Sequence, residues 1–432
     1  MCGIAGKLLT DPEGVVGREE IRRMTQALAH RGPDGEGVYV EGRLGLGHRR
    51  LAIIDLRDVA GQPMATEDGA LCITFNGEIY NYRELRLRLE GAGYRFRTES
   101  DTEVLLHAYA AWGEACLPEL RGMFAFALWD RRTRSLFLAR DRVGKKPLFY
   151  HEGPEAFAFA SEAKALLQDP AIPRVPDPAA IHHYLTLGYV PAPQSAFRGI
   201  RKLPPAHWLR VQDGRVTLGR YWKLRYGAKR SGRPADWAAE LTDRLKEAVR
   251  LRLVSDVPLG AFLSGGIDSS AVVAAMAETT SQPVRTFAVG FEDLAFDERR
   301  YARLVAEQFG TAHTELLLRP DAVALLPRLV WHYDEPFADA SAVPSYCISE
   351  ATRRHVTVAL NGDGGDESFA GYPRYVANQR ARHADLIPRP LWQAAAAAAG
   401  ALPACWRRGP LAKLQRVSHA MALPPARRYA RF

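Results

Sequence analysis

Hydrophobic and polar positions follow two different patterns along the chain, and the change falls near residue 237. Before it, short alternating apolar runs predict strands at residues 44–55 (two strands broken by a polar step), 71–75, 121–129 and 135–141. A helix is predicted at residues 102–112. This half is therefore expected to be strand-rich, with helices outside the sheets.

From residue 237 onward, predicted strands and helices alternate. After an amphipathic helix at 237–253, strands are predicted at 257–263, 284–291, 313–318 and 356–360, with helices at 271–278, 297–310, 322–333 and 343–355. This alternation favours a doubly wound, mostly parallel α/β sheet, with ligands at the carboxyl ends of the strands. We therefore predict two α/β domains, at residues 2–215 and 237–432, joined by a Gly- and Pro-containing linker at 216–236.

Composition narrows the functional class. The 432 residues, 47% hydrophobic and 25% charged, are typical of a globular enzyme with room for two or three domains. A formal net charge of +9 would suit a polyanionic partner, but the basic residues are dispersed, so no nucleic-acid partner is expected. The cysteines at 2, 72, 116, 347 and 405 lack metal-binding spacing. With no membrane-spanning run and no signal pattern, we expect a cytoplasmic protein.

The sequence Ser-Gly-Gly-Ile-Asp-Ser-Ser at residues 264–270 lies between a predicted strand and a predicted helix. A glycine-rich turn there lets backbone N–H groups and the helix N-terminus face an anion. The lysine of the common phosphate loop is missing, and an acid, Asp268, lies where a phosphate would arrive. A carboxylate repels phosphate unless a cation bridges them, so the loop predicts Mg²⁺ together with a nucleotide. The alternative, an ordinary Gly-Gly turn, is disfavoured by the strand–turn–helix context.

A second acidic loop, Asn-Gly-Asp-Gly-Gly-Asp-Glu at residues 361–367, follows the predicted strand at 356–360. A parallel sheet would bring Asp363 and Asp366 to the same edge as Asp268. Paired carboxylates there can hold Mg²⁺ on a leaving pyrophosphate, whereas the alternative is a merely flexible acidic loop. A dinucleotide-binding fingerprint is excluded, because its third glycine would fall on Glu367.

Cys2 becomes the N-terminal residue if Met1 is removed. Its thiol then lies beside a free α-amine with a pKa of roughly 7.7–8.0, so that one residue supplies both nucleophile and general base. The alternative is a small apolar residue at the start of a strand.

The first half resembles the N-terminal-nucleophile glutamine amidotransferase domain over roughly residues 2–205. The resemblance rests on the Met-Cys-Gly-Ile start and on motifs at residues 31–35, 48–51, 75–81, 100–101 and 140–148. It implies an αββα Ntn-hydrolase sandwich in which Cys2 attacks the side-chain amide of glutamine. The combination of these motifs in order favours the nucleophilic reading of Cys2.

The same resemblance implies further roles. Arg50 pairs with the α-carboxylate of glutamine through its planar fork, and Asp101 holds the α-ammonium group. Glu78 belongs to the glutamine-binding set. The Asn76 amide and the Gly77 N–H form the oxyanion hole, which stabilises the tetrahedral intermediate more than the ground state. Taken singly, such residues also suit a turn, a solvated base or a helix cap.

The second half resembles the synthetase domain of glutamine-hydrolysing asparagine synthase, with the loop at 264–270 as its pyrophosphatase loop. The match includes residues 287–291, 334–339, 341–344 and 361–372. The implied ATP-binding residues are Leu263, Ser264, Gly265, Gly266, Asp268, Ser269, Val289, Asn361 and Gly362. Asp268 and Asp366 are implied ligands of Mg²⁺–pyrophosphate. Asp363 is the implied acid of the adenylation step, where many relatives carry glutamate, and the acceptor site is expected near Ser341.

Together the two resemblances imply an ATP-dependent carbon–nitrogen ligase. Its substrates would be glutamine, aspartate and ATP, its cofactor Mg²⁺, and its products asparagine, AMP and pyrophosphate; a homodimer is implied by resemblance alone. Ammonia must pass between the domains as the neutral amine, so an apolar, closed interface is expected. Family members extend beyond Phe432 and carry a lysine near their C-terminus with no equivalent here, so the synthetase half is expected to be incomplete.

Three other functions stay open at this point. One is a ligase of the same family that amidates another carboxylate, in cell-surface polymer or natural-product synthesis. Another is a tRNA-modifying enzyme with the same loop, which suits the charge but leaves Cys2 unexplained. The third is a non-catalytic glutamine- or nucleotide-sensing protein. β-Lactam-forming relatives are disfavoured, because that group lacks the nucleophilic cysteine.

Overall fold

The computed structural model describes residues 1–227, 229–290, 297–317, 321–401 and 410–428. Three positions named in the predictions, Phe291 and Leu318 at the ends of strands and Cys405, lie outside the described residues, as does Phe432.

Two antiparallel sheets of six strands make up most of the N-terminal half. Their strands are β1 (Gly3–Leu9), β2 (Gly35–Glu41), β3 (Leu44–Arg50), β4 (Met64–Ala65), β5 (Leu71–Ile79), β6 (Gly122–Asp130), β7 (Ser135–Arg140), β8 (Phe149–Glu152), β9 (Ala156–Ala160), β10 (Ile200–Lys202), β11 (His207–Gln212) and β12 (Arg215–Arg220). The first sheet has the order β10-β8-β9-β1-β3-β2, and the second β12-β11-β7-β6-β5-β4.

Helices cover the outer faces of the two sheets. α1 (Arg18–Gln26) and α4 (Ala163–Leu166) pack on the first sheet, and α2 (Tyr82–Gly91) and α3 (Asp101–Trp112) pack with the second. α5 (Pro178–Leu187) and the 3-10 helices Asp58–Ala60 and Gly113–Glu119 lie in the connections. The layer order helix–sheet–sheet–helix is the predicted αββα sandwich.

Strand β6 shows how the sequence builds three layers. Phe124 and Phe126 lie in the cluster shared with α2 and α3, whereas Ala125 and Ala127 lie in the cluster between the two sheets. Successive side chains of a strand point to opposite faces, so a continuous apolar run is buried on both sides. The alanines leave room for the neighbouring sheet.

Two strand predictions in this half are wrong in extent. The predicted second strand at residues 51–55 does not form: β3 ends at Arg50, and the backbone N–H groups of Leu51 and Asp55 bond to the side chains of Cys2 and Asp256. β5 continues through Asn76, Gly77 and Glu78, which the sequence placed after the strand. Gly77 permits this continuation, because a Cβ there would lie 2.3 Å from the Met123 carbonyl oxygen of β6.

The C-terminal half contains a parallel sheet of four strands, in the order β15-β14-β13-β16. These strands are β13 (Leu259–Phe262), β14 (Arg285–Gly290), β15 (Ala312–Leu317) and β16 (Val358–Leu360). The order reverses between β13 and β16, which is where open α/β sheets bind ligands. The predicted mostly parallel α/β fold of this half is confirmed.

Helices connect and surround these strands. They are α6 (Pro234–Arg252), α7 (Ile267–Thr279), α8 (Arg299–Phe309), α9 (Ala322–Tyr333), α10 (Ala342–Thr352), α11 (Gly365–Phe369), α12 (Pro373–Ala384), α13 (Arg389–Ala401), α14 (Pro410–Met421) and α15 (Pro425–Arg428). Two predictions need correction. α7 begins earlier than predicted, inside the glycine-rich motif, and the second half of the acidic loop forms α11 instead of remaining a loop.

The two halves contact each other directly. The Asp256 carboxylate accepts a hydrogen bond from the Asp55 backbone N–H at 2.7 Å, and Asp256 in turn donates its backbone N–H to the Ile53 carbonyl at 2.9 Å. The Arg252 guanidinium lies 4.4 Å from the centre of the Tyr80 ring. Among the helices that the structure describes, none combines the length and apolarity needed to cross a membrane.

Candidate active site

A cavity of about 400 Å³ lies beside Met1 and Cys2, at the start of β1. The six residues predicted for the glutaminase site all line it: Cys2, Arg50, Asn76, Gly77, Glu78 and Asp101. Cys2 directly precedes β1, Arg50 ends β3, residues 76–78 belong to β5, and Asp101 begins α3. Four separate elements therefore bring the predicted residues to one place.

Cys2 is held between two partners. Its Sγ accepts the Leu51 N–H at 3.4 Å and donates to the Leu51 carbonyl at 3.7 Å, while Arg31 Nε donates to the Cys2 carbonyl at 2.9 Å. Burial raises the pKa of the Cys2 thiol, so a base must take its proton before it can attack. The Met1 amino group lies in the same cavity, and burial lowers its pKa to about 5.

Asn76 is buried, and neither its amide oxygen nor its amide nitrogen has a hydrogen-bond partner within the described residues. A buried polar group without a partner costs about 1–3 kcal/mol, so such groups are rare outside sites that serve a ligand. The neighbouring Gly77 also lines the cavity. A backbone N–H beside an unpartnered amide is an arrangement suited to binding an oxyanion.

The charged groups of the cavity are arranged for a zwitterion. Arg50 donates to the Arg57 carbonyl at 3.0 Å and to the Asp55 carbonyl, which fixes its guanidinium at the cavity wall. Asp101 accepts the Ile79 N–H at 2.8 Å. Burial raises the pKa of Asp101 to about 7, and burial followed by the charge of Asp101 raises the pKa of Glu78 well above its ordinary value. A substrate ammonium group would favour their ionised forms.

This electrostatic arrangement predicts an acid limb in the activity of the site. Because Asp101 is neutral below a pKa of about 7 and charged above it, its predicted role in holding the α-ammonium group of glutamine implies that kcat/KM falls about tenfold per pH unit as the pH drops below that value. A profile of kcat/KM from pH 5 to pH 9 measures this. The Asp101→Asn variant should have a low kcat/KM without that limb. An unchanged acid limb in the variant would contradict the assignment.

Lys146 also lines this cavity, and the sequence analysis did not assign it to the site. It is 4% exposed. Burial, and after it repulsion from Arg31, lowers the pKa of Lys146 to about 8. Attraction to Glu78 and Cys2 acts in the opposite direction and raises that pKa, but by less. The motif at residues 140–148 contains adjacent lysines at 145 and 146, but the sequence alone does not show which of two neighbours faces a cavity.

A second cavity, of about 530 Å³, lies between the two halves. Of the residues predicted for the synthetase site, Asp268, Asn361, Gly362 and Asp363 line it. The two cavities share six lining residues: Ile53, Glu78, Met123, Val358, Ala359 and Asn361. Their common wall is therefore apolar except for one carboxyl and one amide group. An apolar interface between the halves was expected from the sequence. The larger cavity departs from this expectation, because Lys145 and Arg252 also line it.

The glycine-rich loop is closed by its own serines. Ser264 Oγ lies 3.0 Å from Ser269 Oγ and accepts the Gly266 N–H at 3.2 Å, and Leu263 donates its N–H to the Phe287 carbonyl of β14 at 2.8 Å. The predicted residues that do not line the interdomain cavity are Leu263, Ser264, Gly265, Gly266, Ser269, Val289 and Asp366.

The two acidic loops are in contact. A Cβ at Gly365 would lie 2.3 Å from Cγ of Asp268, and one at Gly362 would lie 2.8 Å from the Ser269 backbone nitrogen. Asn361 Nδ2 donates to Asp363 Oδ2 at 2.6 Å. No group of three candidate metal ligands was found among the described residues. Asp268 and Asp366, the predicted Mg²⁺ ligands, are each half-buried. Carboxylates are ligands of the kind that Mg²⁺ prefers, and one or two of them commonly hold it together with substrate phosphates.

Gly265 offers a test of the loop. It has φ +81°, and a Cβ there would lie 2.4 Å from Tyr301 Cβ and 2.6 Å from the Ala302 nitrogen. We expect Gly265→Ala to lower the free energy of unfolding by more than the roughly 1–3 kcal/mol of a strained φ alone, and to weaken the ATP binding that the sequence predicts for this loop. Gly310→Ala is the matched control, because Gly310 has φ +60° with open space around its Cα. Calorimetric titration with ATP and thermal unfolding measure both effects, and equal effects in the two variants would contradict the expectation.

Two family models match consecutive parts of the chain. Residues 1–222 match the glutamine amidotransferase domain, and residues 240–430 match asparagine synthase. The chain belongs to the glutamine-hydrolysing asparagine synthetase family. Its family membership agrees with the resemblances found in both halves of the sequence.

Three relatives match this asparagine synthetase family member over most of its length. It is 37% identical over 415 residues to a putative asparagine synthetase [glutamine-hydrolyzing] 2 of Methanocaldococcus jannaschii, covering 90% of this chain and 79% of the relative. It is 39% identical to asparagine synthetase [glutamine-hydrolyzing] 1 of Bacillus subtilis, over 87% of this chain and 59% of the relative. It is 40% identical to a putative asparagine synthetase [glutamine-hydrolyzing] of Mycobacterium bovis, over 90% of this chain and 63% of the relative. The chain thus spans about 60% of the length of the latter two relatives.

Proposed function

We propose that this protein is a glutamine-dependent asparagine synthase. The observation that carries the proposal is the shared wall between two cavities. One is lined by the six predicted glutaminase residues, and the other by four residues predicted for the synthetase site. Two chemically different sites that share a wall suit an enzyme that makes ammonia in one and consumes it in the other.

In the first cavity, Cys2 would be the nucleophile once removal of Met1 gives it a free α-amine. That amine would take the thiol proton, and the sulfur would attack the side-chain amide carbon of glutamine. The unpartnered Asn76 amide and the Gly77 N–H would receive the developing oxyanion. Collapse of the tetrahedral intermediate would release ammonia and leave a glutamyl thioester, which water would hydrolyse to glutamate.

Glutamine itself would be held by its charged end. Arg50 would bind the α-carboxylate, and Asp101 with Glu78 would bind the α-ammonium group. Because both carboxyl groups are buried, a substrate with a cationic group would be favoured over a neutral amide.

In the second half, ATP would bind at the carboxyl ends of β13, β14 and β16. The aspartate side-chain carboxylate would attack the α-phosphorus of ATP, giving an aspartyl-adenylate and pyrophosphate. Asp268 and Asp366 would hold Mg²⁺, which when bound neutralises charge on the pyrophosphate. Asp363 would support the adenylation step. Ammonia would then attack the activated carbonyl carbon, and AMP would leave with the carboxyl oxygen.

Release of pyrophosphate tests the proposal. Purified protein is incubated with ATP and Mg²⁺, with and without aspartate, using ammonium or glutamine as the nitrogen donor. We expect pyrophosphate only when aspartate is present, together with one asparagine per pyrophosphate. Glutamine hydrolysis without aspartate-dependent pyrophosphate would contradict asparagine as the product, and a screen of other carboxylates would then identify the acceptor.

A further inference from the structure

A short segment of the second half is seated on the first half. It comprises residues 334–338, called here the docking segment, and it follows α9 directly. Asp334 contacts Lys164 twice: Oδ2 accepts the Lys164 backbone N–H at 2.8 Å, and Oδ1 lies 3.2 Å from Lys164 Nζ. The Glu335 carboxylate accepts the Ala196 N–H at 2.7 Å and pairs with Lys202 Nζ at 2.5 Å. Ala338 donates its N–H to the Gly188 carbonyl at 2.8 Å.

One of these contacts leads to the nucleophile. Lys164 Nζ is paired with the Glu162 carboxylate as well as with Asp334. Glu162 Oε1 accepts Arg31 NH1 at 2.7 Å, and Arg31 Nε donates to the Cys2 carbonyl at 2.9 Å. A continuous series of charged hydrogen bonds therefore joins the docking segment to the backbone of Cys2.

The series is shielded from water. The side chains of Arg31 and Glu162 are each 8% exposed, that of Asp334 is 9% exposed and that of Lys164 is 13% exposed. A buried charge that loses its partner is destabilising, so the position of each group in the series depends on the group beside it. Burial alone would raise the pKa of Glu162, but its bonds from His30 and the attraction of Arg31 and Lys164 lower it to about 2.

Aromatic rings pack around the same junction. Lys164 Nζ lies 4.5 Å from the centre of the Trp331 ring, which belongs to α9. The His30 ring lies 4.5 Å from the Trp331 ring, and His30 Nε2 is 3.1 Å from Glu162. Movement of α9 or of the docking segment would thus change the surroundings of Lys164 and of His30 together.

We propose that Glu162 is a positioning residue for the glutaminase reaction, which holds Cys2 through Arg31 and does so fully only while the docking segment is seated. When Asp334 is in place, Lys164 is shared between two carboxylates. When it is withdrawn, Lys164 is left to Glu162 alone and competes there with Arg31, so the Cys2 carbonyl loses its fixed donor. This inference rests on the proposed glutaminase function. Through the same contacts, changes near Ser341, three residues beyond the docking segment, would reach Cys2.

The test compares glutaminase kcat and KM in Glu162→Gln, Asp334→Asn and the double variant. A misplaced reacting group can cost about 10²-fold, so we expect Glu162→Gln to lower kcat by roughly 10-fold or more, and Asp334→Asn by about 3- to 10-fold. KM for glutamine should change little, because Arg50 and Asp101 are outside the series. The double variant should resemble Glu162→Gln alone, since both act through one path.

Two controls separate positioning from general stability. Glu247→Gln removes another contact between the halves, the exposed pair with Arg121 at 2.8 Å, and should leave kcat within about twofold, as exposed pairs contribute little. Lys164→Arg keeps the shared charge and should retain more activity than Lys164→Met. Thermal unfolding of each variant identifies any loss that merely follows from instability.

Alkylation of Cys2 by iodoacetamide, located by peptide mass spectrometry, provides a second readout that needs no turnover. We expect its rate to change in Glu162→Gln and Asp334→Asn and to match the wild type in Glu247→Gln. Unchanged kcat and alkylation in folded Asp334→Asn, or strictly additive effects in the double variant, would overturn the inference. If the wild-type protein hydrolyses no glutamine, the proposed function fails, and the alkylation rates alone decide the inference.

Discussion

Replacement of Cys2 by alanine should abolish glutamine hydrolysis, lowering kcat by roughly 10³-fold or more, as loss of a catalytic nucleophile does in other enzymes. The reason is geometric as well as chemical. Cys2 lines the same cavity as the unpartnered Asn76 and the charged groups suited to the substrate. Glutamate release measured with a coupled dehydrogenase gives the rate directly.

A second cysteine provides the control for this variant. Cys72 is buried in the core between the two sheets and lines neither cavity of the candidate site. Cys72→Ala should lower the unfolding temperature while keeping kcat near the wild-type value. Synthesis from ammonium in place of glutamine should survive in Cys2→Ala. Retained glutamine hydrolysis in Cys2→Ala would refute the assignment of the nucleophile.

Replacement of Asn76 by alanine should lower kcat for glutamine by about 10²–10³-fold, the usual loss when one oxyanion donor is removed, with a much smaller change in KM. The fold itself should be little affected, because the Asn76 amide makes no hydrogen bond within the described residues. Removal of a buried unpartnered polar group can even be neutral or stabilising. Steady-state kinetics and thermal unfolding on the same preparation separate the two effects.

Asn81 is the matched asparagine for that experiment. Its Nδ2 donates to the Glu119 carbonyl at 3.0 Å, and its Oδ1 accepts the Arg121 N–H at 2.9 Å. Asn81→Ala leaves both backbone groups without their partner, at a cost of about 1–3 kcal/mol each if they stay buried, and should lower stability but not kcat. If Asn76→Ala instead lost stability and kept its kcat, Asn76 would be a structural residue.

The sequence predicted the parts of the fold that depend on local pattern. α9 begins and ends at the predicted residues, and α8 ends before Gly310, a left-handed residue at the predicted stop. The two strands that form the β6–β7 hairpin were also predicted, because alternation along a strand records which side chains are buried. The glutaminase residues were found through motifs that keep residue type and order, without any knowledge of their distances.

Features that depend on distant contacts could not be predicted. Residues 51–55 have the apolar character of a strand, yet Leu51 bonds to Cys2, which lies 49 residues away. The ion pair of Lys164 with Asp334 spans 170 positions, and no local periodicity records such a pair. The same holds for the adjacent lysines, of which Lys146 lines the glutaminase cavity and Lys145 lines the interdomain cavity.

Under the proposed function, nitrogen released in the first cavity is used in the second, and isotope transfer measures this directly. The protein is supplied with ATP, Mg²⁺, aspartate and glutamine labelled with ¹⁵N in its side-chain amide, in the presence of excess unlabelled ammonium. Mass spectrometry then measures the label in the asparagine that forms. We expect most of the asparagine to carry ¹⁵N, because ammonia would cross the shared wall without reaching the solvent. Asparagine labelled only in proportion to the ammonium in solution, or no asparagine at all, would contradict it.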